Sequence, residues 1–175
     1  ELLKDRRGNL TLTNINGLCR IALDKLKKTY EQDIQEKNIR IIFDNLTLSL
    51  MMEVNVEQFS KVLAGILKNS MYALLKKSET VTFSPEIFLG LKVNKDMLEI
   101  TIRDNGSGID ENIKDKIFAP FFTTKTTGEA AGVGLYLCRE IVQNHRGTIE
   151  VESKKGEYTQ FLITIPVYQP KTITP

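Results

Sequence analysis

The sequence predicts a two-layer α/β sandwich, with helices packed on one face of a mixed, mostly antiparallel sheet. Three observations lead there. Two long stretches repeat apolar residues at helical spacing, and short runs rich in β-branched residues lie between and after them. The order helix, two strands, helix, hairpin, loop, helix, hairpin interleaves the two kinds of element, so that they share one core. At 175 residues and 41% hydrophobic content, the chain is long enough for one core and too short for two ordinary domains.

Residues 1–8 are charged and without periodicity. Asn14 is a candidate N-cap, after which Ile15, Leu18, Ile21, Ala22, Leu26, Tyr30 and Ile34 share a face, predicting a helix over 14–37. Residues 39–43 are β-branched and aromatic, a strand by composition, and 48–54 form a weaker second one. Between residues 57 and 77, Phe59, Val62, Leu63, Ile66, Leu67, Met71, Leu74 and Leu75 form the most regular helical stripe in the chain. Residues 87–93 and 97–102 flank the polar turn Asn94-Lys95-Asp96 and predict a hairpin. Residues 123–132, rich in Thr, Gly and Ala, read as a mobile loop. Helical periodicity resumes over 134–144, and 148–152 with 160–165 alternate as a closing pair of strands. The predicted organisation is a preceding linker over 1–13, one domain over 14–166 and a tail over 167–175.

Composition narrows the chemistry. With 24 Lys+Arg against 22 Asp+Glu the net charge is +2, which predicts no nucleic-acid partner. One histidine, His145, and two distant cysteines, Cys19 and Cys138, exclude a His/Cys zinc site, a disulfide framework and most triad chemistry. Any metal is therefore held by oxygen ligands. No apolar run approaches the roughly 20 residues of a membrane span, and the N-terminus has no signal-peptide core. The expectation is a cytoplasmic domain, standing alone or as the cytoplasmic part of a membrane-bound protein.

Three motifs carry candidate chemistry. Asp104-Asn105-Gly106-Ser107-Gly108 follows a strand; a carboxylate there accepts from an exocyclic amine, and the glycines let backbone approach a planar ring, although an ordinary turn has the same composition. Asn69 sits inside the most amphipathic helix, where asparagine is disfavoured by several tenths of a kcal/mol relative to alanine. Its amide oxygen suits magnesium, and a solvent-facing asparagine is the plain alternative. Gly132-Val133-Gly134 opens a helix whose N-terminal amides suit phosphate, or else marks a simple loop-to-helix junction.

Taken in order, these motifs, with Phe121-Phe122-Thr123-Thr124-Lys125 between them, resemble the catalytic ATP-binding domain of sensor histidine kinases, which has the Bergerat fold. The resemblance spans residues 9–166. In that family's terms the Asn69 helix is the N box, Asp104–Gly108 the first glycine box, Ile117–Phe122 the phenylalanine box and Gly132–Leu135 the second glycine box. Cys138-Arg139-Glu140-Ile141-Val142, His145-Arg146-Gly147, and Gly156, Thr159 and Phe161 resemble the closing segments, and the Phe-Phe-Thr-Thr-Lys run is similar to nitrogen-regulatory kinases. The resemblance implies ATP and Mg2+ as cofactors, with Asp104 on the adenine amine and Asn69 on the magnesium. Lys125 and the loop after it would close over the nucleotide, and Asn69 and Lys125 would be the catalytic residues. Ala73, Gly106, Gly108, Ile109, Phe122, Thr123, Gly132, Val133, Gly134, Leu135 and Thr159 would complete the nucleotide site.

The chain also departs from the pattern. Gly65, one turn before Asn69, replaces the family's usual Asn and the Glu of other ATPases of the superfamily. Ser70 replaces an alanine, Ala130 the first glycine of the second glycine box, and Tyr158 a glycine of the closing motif. His145 falls in a His-x-Gly segment that reads as structural. The resemblance therefore implies a phosphoacceptor histidine on a dimerisation domain outside this chain, a response regulator receiver domain downstream, and a homodimer at full length. The alternatives are a degenerate nucleotide-binding or interaction module, and a serine kinase or ATPase of the same superfamily.

Overall fold

The computed structural model describes residues 8–45, 49–120, 122 and 133–167. In chain order the elements are β1 (Thr11–Asn14), α1 (Ile15–Thr29), α2 (Glu31–Lys37), β2 (Arg40–Asp44), β3 (Met51–Val54), α3 (Val56–Ser78), β4 (Glu86–Asn94), β5 (Met97–Asp104), α4 (Glu111–Lys114), α5 (Val133–Asn144), β6 (Thr148–Lys154) and β7 (Tyr158–Pro166). Five strands form a sheet in the order β2-β4-β5-β7-β6, in which β2 and β4 run parallel and the other neighbours antiparallel. Helices α1, α3 and α5 pack together, α3 lying on β4 and β5 and α5 on β6. This is the two-layer, mostly antiparallel sandwich that the sequence predicts.

Strict alternation drives the packing. Leu98, Ile100 and Ile102 of β5 and Phe161, Ile163 and Ile165 of β7 point into the core with the apolar stripe of α3. That same alternation carries Asp104, the last residue of β5, onto the buried side. Side chains at Asn14 and Asn55 cap α1 and α3, accepting from Gly17 N (3.1 Å) and Gln58 N (3.0 Å) and so satisfying orphan amides of the first turn.

Two features differ from expectation. The helix expected over 14–37 is two helices, divided at Tyr30, whose backbone is non-helical. There the Thr29 hydroxyl bonds back to Lys25 O (2.9 Å), a local competitor of helical geometry. The second is β1, which pairs antiparallel with β3 in a separate two-stranded sheet. Its Leu12 is 62% exposed, so no inward and outward alternation marks it as a strand.

Candidate functional site

The site begins where β5 ends. Asp104 is 2% exposed, and one of its carboxylate oxygens accepts from Gly106 N (2.8 Å). The chain then threads between α3 and the β6–β7 hairpin. Ser107 N donates to Ala73 O (3.1 Å), and Ser107 O accepts from Gly156 N (2.7 Å). At two positions on this path a side chain is sterically excluded. A Cβ at Gly106 would lie 2.6 Å from the Ala73 carbonyl carbon, and one at Gly108, where φ is +66°, would lie 2.2 Å from Lys154 O.

The intervening Asn105 locks the turn against β4. Its Oδ1 accepts from Glu86 N (2.7 Å), its Nδ2 donates to Ser84 O (2.8 Å), and its carbonyl accepts from Lys77 Nζ (3.0 Å). Such a fully bonded turn holds Asp104 in place without help from a ligand.

A polar row crosses the otherwise apolar sheet at this level, because register places Asp104 opposite Thr159 and Thr159 opposite Ser153. All three are buried. Ser153 Oγ donates to Tyr158 O (2.7 Å) and accepts from Ile109 N (2.8 Å). Its one proton is thereby used, so in the 3.0 Å contact between Ser153 Oγ and Thr159 Oγ1 the threonine donates. The sequence-predicted residues Ala73, Asp104, Gly106, Gly108, Ile109 and Thr159 thus lie together around the turn that leaves β5.

Burial pushes the Asp104 carboxyl from an ordinary 3.8 up to about 7. The Gly106 amide pulls it back first, then Ser70, then the positive charges of Arg103 and Lys77. A carboxylate so placed is a strong acceptor for a neutral N–H donor of a planar base.

Asn69, Ala73 and Lys77 follow at four-residue intervals along the α3 edge above the turn. Asn69 is half-buried, one helical turn before the carbonyl that anchors Ser107. Among the described residues no three His, Cys, Asp or Glu side chains converge as a metal site. A single amide oxygen fits magnesium, which keeps most of its waters and takes substrate phosphates as ligands.

Gly134 is exposed in the first turn of α5, with open space where a Cβ would stand. Val133 begins that helix. Phe122 and Leu135 pack against the common core rather than entering the polar cluster. Thr123, Lys125, Ala130 and Gly132, with the predicted loop over 123–132, lie outside the described residues.

Two departures acquire physical reasons. A Cβ at Gly65 would lie 3.2 Å from Cys138 Sγ, so the glycine lets α5 approach α3 closely. Tyr158 donates to Glu152 (2.5 Å) and lies beneath the Arg103 guanidinium, 4.2 Å from the ring centroid. It is held in the strand's own surface network. His145 is fully buried. Its Nε2 accepts from Asn55 N (3.1 Å) and its Nδ1–H donates to Ile141 O (2.8 Å), which fixes the neutral Nδ1–H tautomer and engages both ring nitrogens. The ring also packs edge-on against Phe59.

Sequence reasoning did not single out Ser70 as functional, nor Lys77 or Ser153. Ser70 is 1% exposed on the inner side of α3. A hydroxyl inside an apolar helical stripe is the signal that marks it.

Comparison with known proteins places the fold. The family described as histidine kinase-, DNA gyrase B-, and HSP90-like ATPase matches residues 55–169. Cyanobacterial phytochrome A of Nostoc sp. is 35% identical over 149 residues, covering 83% of this chain and 18% of its own length. Sensor histidine kinase ZraS of Salmonella typhi is 28% identical over 167 residues, covering 95% of this chain and 33% of its own. The chain therefore spans a third or less of these curated relatives. Among solved structures, the catalytic domain of histidine kinase ThkA superposes with a TM-score of 0.73 at 28% identity, covering 90% of this chain and 95% of that one. A structure of ThkA in complex with the response regulator protein TrrA gives 0.68 at 26% identity, covering 91% and 42%. Among the described residues no helix is long and apolar enough to cross a membrane.

Proposed function

Since the chain belongs to the family of histidine kinase-, DNA gyrase B- and HSP90-like ATPases, as a catalytic ATPase domain of the histidine-kinase kind, we propose that it binds ATP at Asp104 and Asn69 and transfers the γ-phosphoryl group to a histidine on a separate domain. The observation that carries this is the carboxylate of Asp104. It is buried at the end of β5, fixed through one oxygen by Gly106 N, and keeps lone pairs on the other. The adenine amine is the donor that such an acceptor selects. Ile109 and, on the neighbouring strands, Thr159 and Ser153, bonded through Ser153 Oγ, would line the same site.

Phosphoryl transfer relies chiefly on positioning and charge neutralisation. Asn69 would hold Mg2+, which supplies charge neutralisation for the phosphates when bound. Lys125 would add a cation and the amides after Gly132 a helix N-terminus, both suited to phosphate oxygens. Gly65 offers no side chain to activate water, which favours transfer over hydrolysis.

The acceptor lies elsewhere, because both nitrogens of His145 are bonded inside the fold. A dimerisation domain of the whole protein, present as a homodimer in the cytoplasm, fits that requirement. A response regulator would then take the phosphoryl group onward. The ThkA complex supports that partner by likeness. Titration calorimetry with a non-hydrolysable ATP analogue tests the nucleotide step. Wild-type domain is expected to bind, Asp104→Ala to lose binding with or without magnesium, and Asn69→Ala to lose only the gain that magnesium gives. Absence of binding by the wild type would overturn the proposal.

A further inference from the structure

Ser153 is the saturated centre of the polar row beside Asp104. Its Oγ donates to Tyr158 O (2.7 Å) and accepts from Ile109 N (2.8 Å) and from the Thr159 hydroxyl (3.0 Å). Those bonds use its one proton and both lone pairs, which is all that a serine hydroxyl has. Two of the partners are backbone groups, a carbonyl that can only accept and an amide that can only donate, so neither bond can reverse. The direction of the remaining bond follows: Thr159 gives its side-chain proton to Ser153 and keeps only lone pairs. Register sets Thr159 directly opposite Asp104, and both are buried on the inner side of the sheet. Such cross-strand neighbours stand about 5 Å apart at Cβ. An ionised carboxylate is likewise an acceptor only. Side by side, the ends of β5 and β7 therefore present acceptors and no side-chain proton.

We propose that Ser153 is a specificity-determining positioning residue: by holding the Thr159 proton it makes Thr159 an acceptor towards the bound base, so that a purine with an amine at position 6 is taken and one with a carbonyl there is refused. Ser153 acts this way only if Asp104 is the adenine acceptor, the reading on which this proposal rests. Without Ser153 a threonine hydroxyl is ambivalent, because it turns about one torsion and donates to whichever acceptor faces it. Donation to a base carbonyl would stabilise the wrong purine. Donation to Asp104 would occupy a lone pair that the amine needs. Ser153 prevents both through bonds anchored on backbone, at Ile109 just after the glycine turn and at Tyr158 in β7.

Titration calorimetry of the whole chain with magnesium and the β,γ-imido analogues of ATP and ITP, at pH 8, above the Asp104 midpoint of about 7, gives the ratio of the two dissociation constants. Ser153→Ala is expected to narrow the wild-type preference for the adenine analogue by about three- to tenfold, the scale of one hydrogen bond whose polarity is reversed. Ser153→Cys, close in volume and a weak hydrogen-bonding group, should narrow it in the same direction, so the test does not depend on the alanine variant folding. In a Thr159→Val background, Ser153→Ala should leave the ratio where Thr159→Val alone puts it. Affinities for both analogues that fall together in Ser153→Ala and Ser153→Cys, with the ratio fixed, would make Ser153 part of the scaffold only and overturn the proposal. Equal narrowing in the Thr159→Val background would overturn it too, since the effect would not pass through Thr159. A wild-type chain that binds neither analogue overturns the adenine reading and this proposal with it, whereas wild-type binding with an unmoved ratio in the variants overturns this proposal alone.

Discussion

Replacing Asp104 by asparagine separates what the site needs from what the fold prefers. In the folded domain the carboxyl is raised from 3.8 to about 7 by burial, and each pH unit of such a rise corresponds to about 1.4 kcal/mol. The sign follows from proton counting. Between pH 4 and 7 the folded state holds a proton that the unfolded state has released, so stability falls as pH rises through this window. Asp104 favours folding fully below pH 3.8, and that contribution is gone above pH 7, a change on the order of 4 kcal/mol. The substituted amide cannot ionise, and its oxygen can still accept from Gly106 N. Urea unfolding of the nucleotide-free domain at several pH values measures the difference. The stability of Asp104→Asn relative to wild type is expected to climb by about 2–4 kcal/mol from pH 4 to pH 8. Nucleotide affinity should move the opposite way: the amide NH2 meets the adenine amine donor to donor, costing about 2–3 kcal/mol of binding, roughly 30- to 150-fold. A stability difference that stays constant across the pH range would refute the buried, ionised carboxylate and the reasoning built on it.

Three further sets of substitutions probe the scaffold. Gly108→Ala should lower stability by more than about 2 kcal/mol through its positive φ and its clash with Lys154 O, whereas Gly134→Ala should leave the thermal midpoint within about a degree or two. Thermal unfolding of the pair checks this. His145→Ala should cost about 3 kcal/mol, since it empties a buried site against Phe59 and strips Asn55 N of its acceptor; urea titration measures it. Gly65→Ala and Cys138→Ala should be coupled by about 1 kcal/mol in a double-mutant cycle, the second relieving the first, because the added Cβ meets the sulfur at 3.2 Å.

Much of the fold is legible because its elements bury one clean face. The α3 stripe and the alternation along β5 and β7 announce both their type and their orientation, and they carry Asp104 inward before any ligand is considered. The break at Tyr30 is hidden, since an apolar stripe continues through it while the backbone at Tyr30 leaves helical geometry. β1 is hidden for the opposite reason: it is a short strand with an exposed leucine and, among the described residues, only β3 as partner. At the site, glycines and a carboxylate at the end of a strand mark the turn in the sequence. The polar row through Ser153 depends on register between strands separated by a hairpin, which no local pattern encodes. Lys77 likewise looks like a solvated lysine until its bond to Asn105 O is seen.

In the proposed reaction this domain binds ATP through Asp104 and passes the γ-phosphoryl group to a histidine beyond these 175 residues. Incubating the whole protein that carries the domain with γ-labelled ATP, then splitting the product between acid and alkali, tests it most directly. An acid-labile, alkali-stable phosphoprotein is expected, lost in Asp104→Ala and in Asn69→Ala and retained in folded His145→Gln. An acid-stable product, or label carried on His145 itself, would contradict it.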